Sequence, residues 1–137
     1  LLELLVVISI IAIATAGVTL ALRDTASVQL GREAERLAAL LESGRAQSRT
    51  NGVPVVWRVE GNGFRFDGQM AKPMPQTWLD PQTRVRSAQP VLLGPDPIIG
   101  RQEILLSSVA APQQVLRVWT DGLRPFSVQS ADAGAAP

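Results

Sequence analysis

The sequence predicts an α+β chain in which a long N-terminal helix, apolar in its first half and amphipathic in its second, packs on a mainly antiparallel β-sheet domain. Three observations predict it. Residues 4–22, LLVVISIIAIATAGVTLAL, hold nineteen positions without a charge. A helical period of apolar residues then runs on to Thr50, with no Pro anywhere in residues 1–50. Beyond Gly52 the period drops to two, and turn residues separate short runs of branched and aromatic side chains. The chain therefore divides into a membrane-spanning helix at 1–23, its amphipathic continuation at 24–52, a sheet domain at 53–129 and a tail at 130–137.

The apolar run spans about 28 Å as a helix, close to the ~30 Å hydrocarbon thickness of a bilayer. A cleavable secretory signal would be shorter in its apolar core and would start with basic residues. A buried helix of a water-soluble domain would keep a polar side, and here β-branched residues occupy every face. Ser9, Thr15, Gly17 and Thr19 are small or weakly polar, a composition that lets helices approach closely in lipid. Arg23 is the nearest basic residue and Asp24 balances it, so flanking charge does not orient the span.

From Asp24 onward, Leu30, Ala34, Leu37, Ala38 and Leu41 recur at helical spacing. Arg32, Glu33, Glu35, Arg36, Glu42 and Arg45 are expected on a solvated opposite face, with Glu and Arg three or four residues apart. Asn51-Gly52 supplies a helix stop that tolerates left-handed backbone. The simplest arrangement is one continuous helix, although Asp24 or Thr25 is also a fitting start for a second one. The stripe at 30–41 needs a cover, and the sheet is the element available to provide it.

Val53 to Val59 and Phe64 to Asp67 flank Gly61-Asn62-Gly63 and predict a β-hairpin. Residues 68–102 are rich in Pro and Gly and predict an irregular excursion, with short strands near Thr83–Arg86 and Val91–Leu93. Glu103–Ser108 and Val115–Thr120 are stronger strands, and the second is expected to meet Leu123–Gln129 across an Asp121-Gly122 hairpin turn. Ser130 to Pro137, small and Ala-rich, is expected to be disordered.

Thirteen basic against twelve acidic residues leave a net charge of +1, which gives no electrostatic case for nucleic acid or anionic lipid as the main partner. Twelve of the thirteen are Arg, a bias that fits genome composition as readily as carboxylate recognition. Neither Cys nor His occurs, which removes disulfides, thiolate chemistry and the commonest general base and metal ligand. Asp67, Asp80, Asp96 and Asp121 show no ligand spacing, so no catalytic, cofactor or metal site is expected, and the chain does not read as an enzyme. Trp57 and Trp119 fall in strands and are expected in the core. Trp78, inside the Pro-rich excursion, is the candidate for an exposed partner contact. Arg84, Arg86 and Arg101 are the residues a DNA groove would use, although aromatic residues do not interleave them.

The opening Leu1-Leu2-Glu3-Leu4-Leu5-Val6-Val7-Ile8 resembles the start of type IV pilins and type II secretion pseudopilins. Those mature chains begin with an aromatic residue and a Thr, then two aliphatics, a Glu and a long apolar helix. The resemblance implies a pilin-like fold, with two residues and a peptidase-cleaved basic leader ahead of Leu1 and methylation of the mature N-terminus. It further implies an inner-membrane helix with the C-terminal domain in the periplasm. Glu3 matches the family's acidic residue, implicated in pairing with the N-terminal amine of a neighbouring subunit.

Glu33 to Asn51, the hairpin Val55 to Asp67 and the ending Trp119-Thr120-Asp121-Gly122-Leu123-Arg124-Pro125-Phe126 resemble the H-class minor pseudopilins (general secretion pathway protein H). This class shares a domain family with minor type IV pilins related to fimbrial protein T. The implied partners are other minor and major pseudopilins, inner-membrane lipid and, during maturation, prepilin peptidase. Lack of Cys favours the secretion branch over type IV pilins, and lack of an acidic calcium-binding loop favours a minor class. A fimbrial-T-type minor pilin acting in pilus assembly or DNA uptake is the alternative. A membrane anchor carrying an unrelated sensory domain is the third reading.

Overall fold

Leu2–Asn51 form one unbroken 50-residue helix, α1, about 75 Å long. This was the simpler of the two arrangements open from the sequence: no break occurs at Asp24 or Thr25. The helix is part of a computed structural model that describes residues 1–131. At its C-terminal end Gly52 takes the left-handed conformation (φ 68°, ψ 16°), and its N–H donates to the Ser48 carbonyl at 2.9 Å. Hydroxyls in and just after the apolar run bond back along the helix. Ser9, Thr15, Thr19 and Thr25 each donate to the carbonyl four residues earlier, at 2.8 to 3.0 Å, so they need no external partner.

Seven strands follow: β1 (Val55–Glu60), β2 (Gly63–Asp67), β3 (Thr83–Ala88), β4 (Val91–Gly94), β5 (Gln102–Ser108), β6 (Ala111–Thr120) and β7 (Ser127–Ser130). They build two antiparallel sheets, of order β2-β1-β4 and β3-β5-β6-β7. The hairpin read from the sequence is β1–β2, with Trp57 opposite Phe66 and Glu60 opposite Gly63. The Pro-rich excursion supplies one strand to each sheet. β4 returns to pair with β1, a contact between distant segments that no local pattern announces.

Two expectations are corrected. Asp121-Gly122 is not a two-residue hairpin turn. β6 does pair with β7, Trp119 facing Ser127, but a loop from Asp121 to Phe126 connects them and Leu123 to Phe126 are not strand. The physical reason is Asp121 itself: its Oδ1 accepts from the N–H groups of Leu123 (2.9 Å) and Arg124 (2.8 Å), which bends the chain into a side-chain-capped turn. Ser130, assigned to the tail, ends β7. Ala131 is also described, and 132–137 of the expected tail lie outside the described residues.

The core forms where the lower half of α1 meets the sheets. Leu30, Ala34, Leu37 and Leu41 are buried against Val55, Trp57, Phe64, Leu93, Ile104, Leu106 and Val118. Close approach is set by Gly44, where an added Cβ would stand 2.9 Å from Leu93 Cδ1 and 3.2 Å from the Phe66 ring. A side-chain amide links the two sheets. Gln102 at the start of β5 accepts from Leu92 N–H and donates to Leu92 C=O, both at 2.9 Å.

Candidate functional site

The first half of α1 is left uncovered by the other described residues. Every residue from Leu1 to Leu22 is exposed, and Ile13 (73%), Leu20 (60%) and Leu22 (64%) illustrate how fully. The helix is long and apolar enough to cross a membrane, and none of that apolar window is buried. Glu3 stands in its first turn, as exposed as its neighbours and the sole acidic residue ahead of Asp24. The site is therefore a single apolar rod with one carboxylate at its tip, presented to whatever surrounds it.

Below the rod, two charged clamps, whose residues the sequence reading placed on a solvated face, fasten loops of the body to the helix. Arg45 is 2% exposed and Glu33 3% exposed, so that expectation is corrected for both. Arg45 donates through Nη2 to the carbonyls of Gly122 (2.9 Å) and Pro97 (3.0 Å), and through Nη1 to that of Arg124 (3.2 Å). Glu42 Oε1, 3.4 Å from Arg45 Nη1, accepts from the Phe126 N–H at 3.0 Å. Together they seat the Asp121–Phe126 loop on the helix. Backbone carbonyls replace water at both Nη atoms of this buried cation, while its Nε has no hydrogen-bond partner among the described residues.

The second clamp holds the segment around Trp78. Both oxygens of Glu33 accept from the Leu79 N–H at 3.2 Å, and Arg36 donates to the Thr77 carbonyl at 3.1 Å. Burial pushes the Glu33 carboxyl above its ordinary value, against the lowering effects of the Leu79 hydrogen bond and the Arg36 charge. Trp78 is half-buried, its ring 4.7 Å from that of Phe64, and it borders an open depression of about 590 Å³ with Gln76, Thr77, Pro81 and Arg84.

Trp57 is fully buried, as expected. Trp119 is only half-buried: it faces outward on β6, with the guanidinium groups of Arg117 and Arg101 4.9 and 5.7 Å from its ring centre. Arg84, Arg86 and Arg101 do not converge. Arg84 and Arg86 sit on β3, which pairs with the Ile104–Ser108 part of β5, whereas Arg101 precedes the opposite end of that strand. Asp67 binds Arg58 (2.6 Å) and Arg65 (2.8 Å), and Asp80 accepts from the Gln82 N–H. Among the described residues no group of three or more acidic side chains is placed to hold a metal ion.

Sequence reasoning missed Glu33 and Arg45 because charge was read ahead of position. Arg45 lies four residues beyond Leu41, in register with the apolar stripe, and that spacing is the signal that identifies it. The chain matches no family model, no curated protein and no solved structure.

Proposed function

We propose that this chain is a minor pseudopilin, a structural subunit near the tip of a type II secretion pseudopilus that supports protein export across the outer membrane. One observation carries the reading: a single rigid helix is covered by its own domain only from Ala26 onward, while the preceding apolar half, tipped by Glu3, is left bare. Lipid and other apolar helices are both coverings that suit such a surface. The subunit waits as a single-pass protein of the inner membrane with its sheet body in the periplasm, and then packs its helix among those of other major and minor pseudopilins. The sequence resemblance at Leu1–Ile8 supports the same conclusion.

In this reading Glu3 sets the stagger. Opposite charges about 4 Å apart attract by about 4 kcal/mol at an effective dielectric near 20, before desolvation costs. A carboxylate on a bare apolar helix therefore favours the one axial position that brings a neighbouring N-terminal amine beside it. Glu3→Ala is expected to lower co-purification of the full chain with partner pseudopilins while the sheet body keeps its unfolding midpoint, and Glu3→Gln is expected to behave alike. Unchanged co-purification of Glu3→Ala overturns the role.

The Arg101–Trp119–Arg117 stack favours a second reading, a fimbrial-T-type minor pilin that binds DNA, because stacked cations and an aromatic ring on a sheet face suit a flexible polyanion. Retardation of single-stranded DNA by the full chain in detergent, lost in Trp119→Ala, selects that reading over the first.

A further inference from the structure

The helix leaves the body between Leu22, which is 64% exposed, and Ala26, the first buried residue. Two loops reach that level. Asp24 and Ser27 border one depression with residues 110–114, and Gln29, Arg32 and Glu33 border another with Leu79, Asp80 and Pro81. The loops are joined, since the Val109 N–H donates to the Gln82 carbonyl at 2.8 Å. Their tips are apolar: Leu79 is 75% exposed, Val109 is 54% exposed, and Pro81, Ala110 and Pro112 flank them. Two exposed guanidinium groups of β3 are fixed on carbonyls beside these tips, Arg84 on Pro81 and Arg86 on Pro112, both at 2.6 Å.

We propose that this double tip rests on the membrane, with Val109 and Leu79 in the headgroup layer and Arg84 and Arg86 directed at anionic phospholipid headgroups. The inference rests on the reading of residues 4–22 as a membrane span. Because the helix is continuous, the end of the span fixes the height of the body. Residues 24–27 lie about 3–8 Å along the axis beyond Leu22, within the polar layer that flanks the hydrocarbon by about 5–8 Å. Residues 29–33 lie about 10–17 Å along, and an ordinary tilt of about 20° towards this side lowers their loop further. Apolar tips ringed by cations are the chemistry of an interfacial lipid contact. Among the described residues the carboxylates near this level are exposed Asp24, Asp80 with Oδ1 bonded to the Gln82 N–H at 3.0 Å, buried Glu33, and Glu60, which borders a depression with Pro81 and Arg84 and pairs with Arg65 at 3.7 Å; against them stand the exposed guanidinium groups of Arg32, Arg84 and Arg86.

The chain contains no Cys, so a single introduced one takes a fluorophore uniquely. The full chain carrying Val109→Cys, Gln69→Cys or Ile13→Cys is labelled and reconstituted into phosphatidylcholine vesicles with and without phosphatidylglycerol, using quenchers on lipid headgroups or acyl chains. Gln69 serves as the distal reference, since its carbonyl accepts from Asn51 at the far end of the helix. The proposal expects headgroup quenching at position 109, stronger with phosphatidylglycerol and weakened by Arg84→Gln with Arg86→Gln, and none at position 69. Equal behaviour of positions 109 and 69, with position 13 quenched from the acyl chains, overturns the resting surface and leaves the span standing. Absence of acyl-chain quenching at position 13 overturns both. Quenching at 109 that ignores phosphatidylglycerol overturns the anionic-lipid assignment.

Discussion

One backbone runs through two environments in α1. Among the described residues every position from Leu2 to Leu22 is exposed, whereas between Ala26 and Ser48 the helix supplies Leu30, Leu37 and Leu41 to the core and buries Glu33 and Arg45 beside it. Both stretches are strongly helical by pattern, so propensity does not distinguish them. What differs is who provides the second surface: the sheets do so for the lower half, and among the described residues nothing does so for the upper. The fold's stability is therefore confined to one half of its longest element, and substitutions separate the halves.

The largest expected effect is at Arg45. Arg45→Ala removes the donors that satisfy the carbonyls of Gly122, Pro97 and Arg124, and should destabilise the body by about 3–5 kcal/mol. Arg49→Ala, one turn further and exposed, should stay within about 0.5 kcal/mol. Denaturant unfolding in detergent, followed by tryptophan fluorescence, reads the body alone because Trp57, Trp78 and Trp119 all lie in it. Next comes Leu37→Ala, a fully buried side chain whose loss should cost about 2–5 kcal/mol, against almost no change for Ile13→Ala in the same assay.

A glycine pair sharpens the contrast by reversing its sign. Gly44→Ala drives a methyl against Leu93 and Phe66 and should cost about 1–3 kcal/mol. At Gly17 an added Cβ meets nothing within 4 Å, so Gly17→Ala should raise helix stability by about 0.5–1 kcal/mol. Far-ultraviolet circular dichroism of the full chain during thermal melting detects the second change, and the unfolding midpoint detects the first.

The smallest effect is the pH dependence from Glu33. Its carboxyl is raised in the folded state chiefly by burial, so the folded chain binds a proton more readily than the unfolded one. This contribution is fully present below about pH 4.5, the ordinary value, and is lost as pH rises through the folded value. Glu33→Gln should flatten that part of the stability–pH curve. An unchanged slope in the variant assigns the slope to other groups.

Much of this architecture was legible because it depends on local periodicity. The uncharged run, the shift to an amphipathic stripe at Leu30–Leu41 and the change to period two after Gly52 each reflect a surface that must be wet or dry. The β1–β2 hairpin was legible for the same reason, its turn lying between two alternating runs. β4 was legible as a strand, but its partner β1 was not, since pairing across some thirty residues leaves no local trace. Asp121-Gly122 misled because the same dipeptide serves a hairpin turn or an aspartate-capped loop; here Asp121 caps the loop, and Arg45 and Glu42 hold that capped loop against the helix. For the candidate site, Glu3 was visible in the sequence as the acidic tip of the rod. The burial of Glu33 and Arg45 was hidden by their charge.

The amide of Gln102 has a consequence at the margin of the three-stranded sheet. An outermost strand usually offers a row of free donors and acceptors, on which a stray chain can template itself. On β4 the Leu92 N–H and C=O are already taken by a side chain that imitates a neighbouring backbone. A stray strand arriving along that border meets a saturated residue at its centre, so the sheet is guarded there against growing sideways.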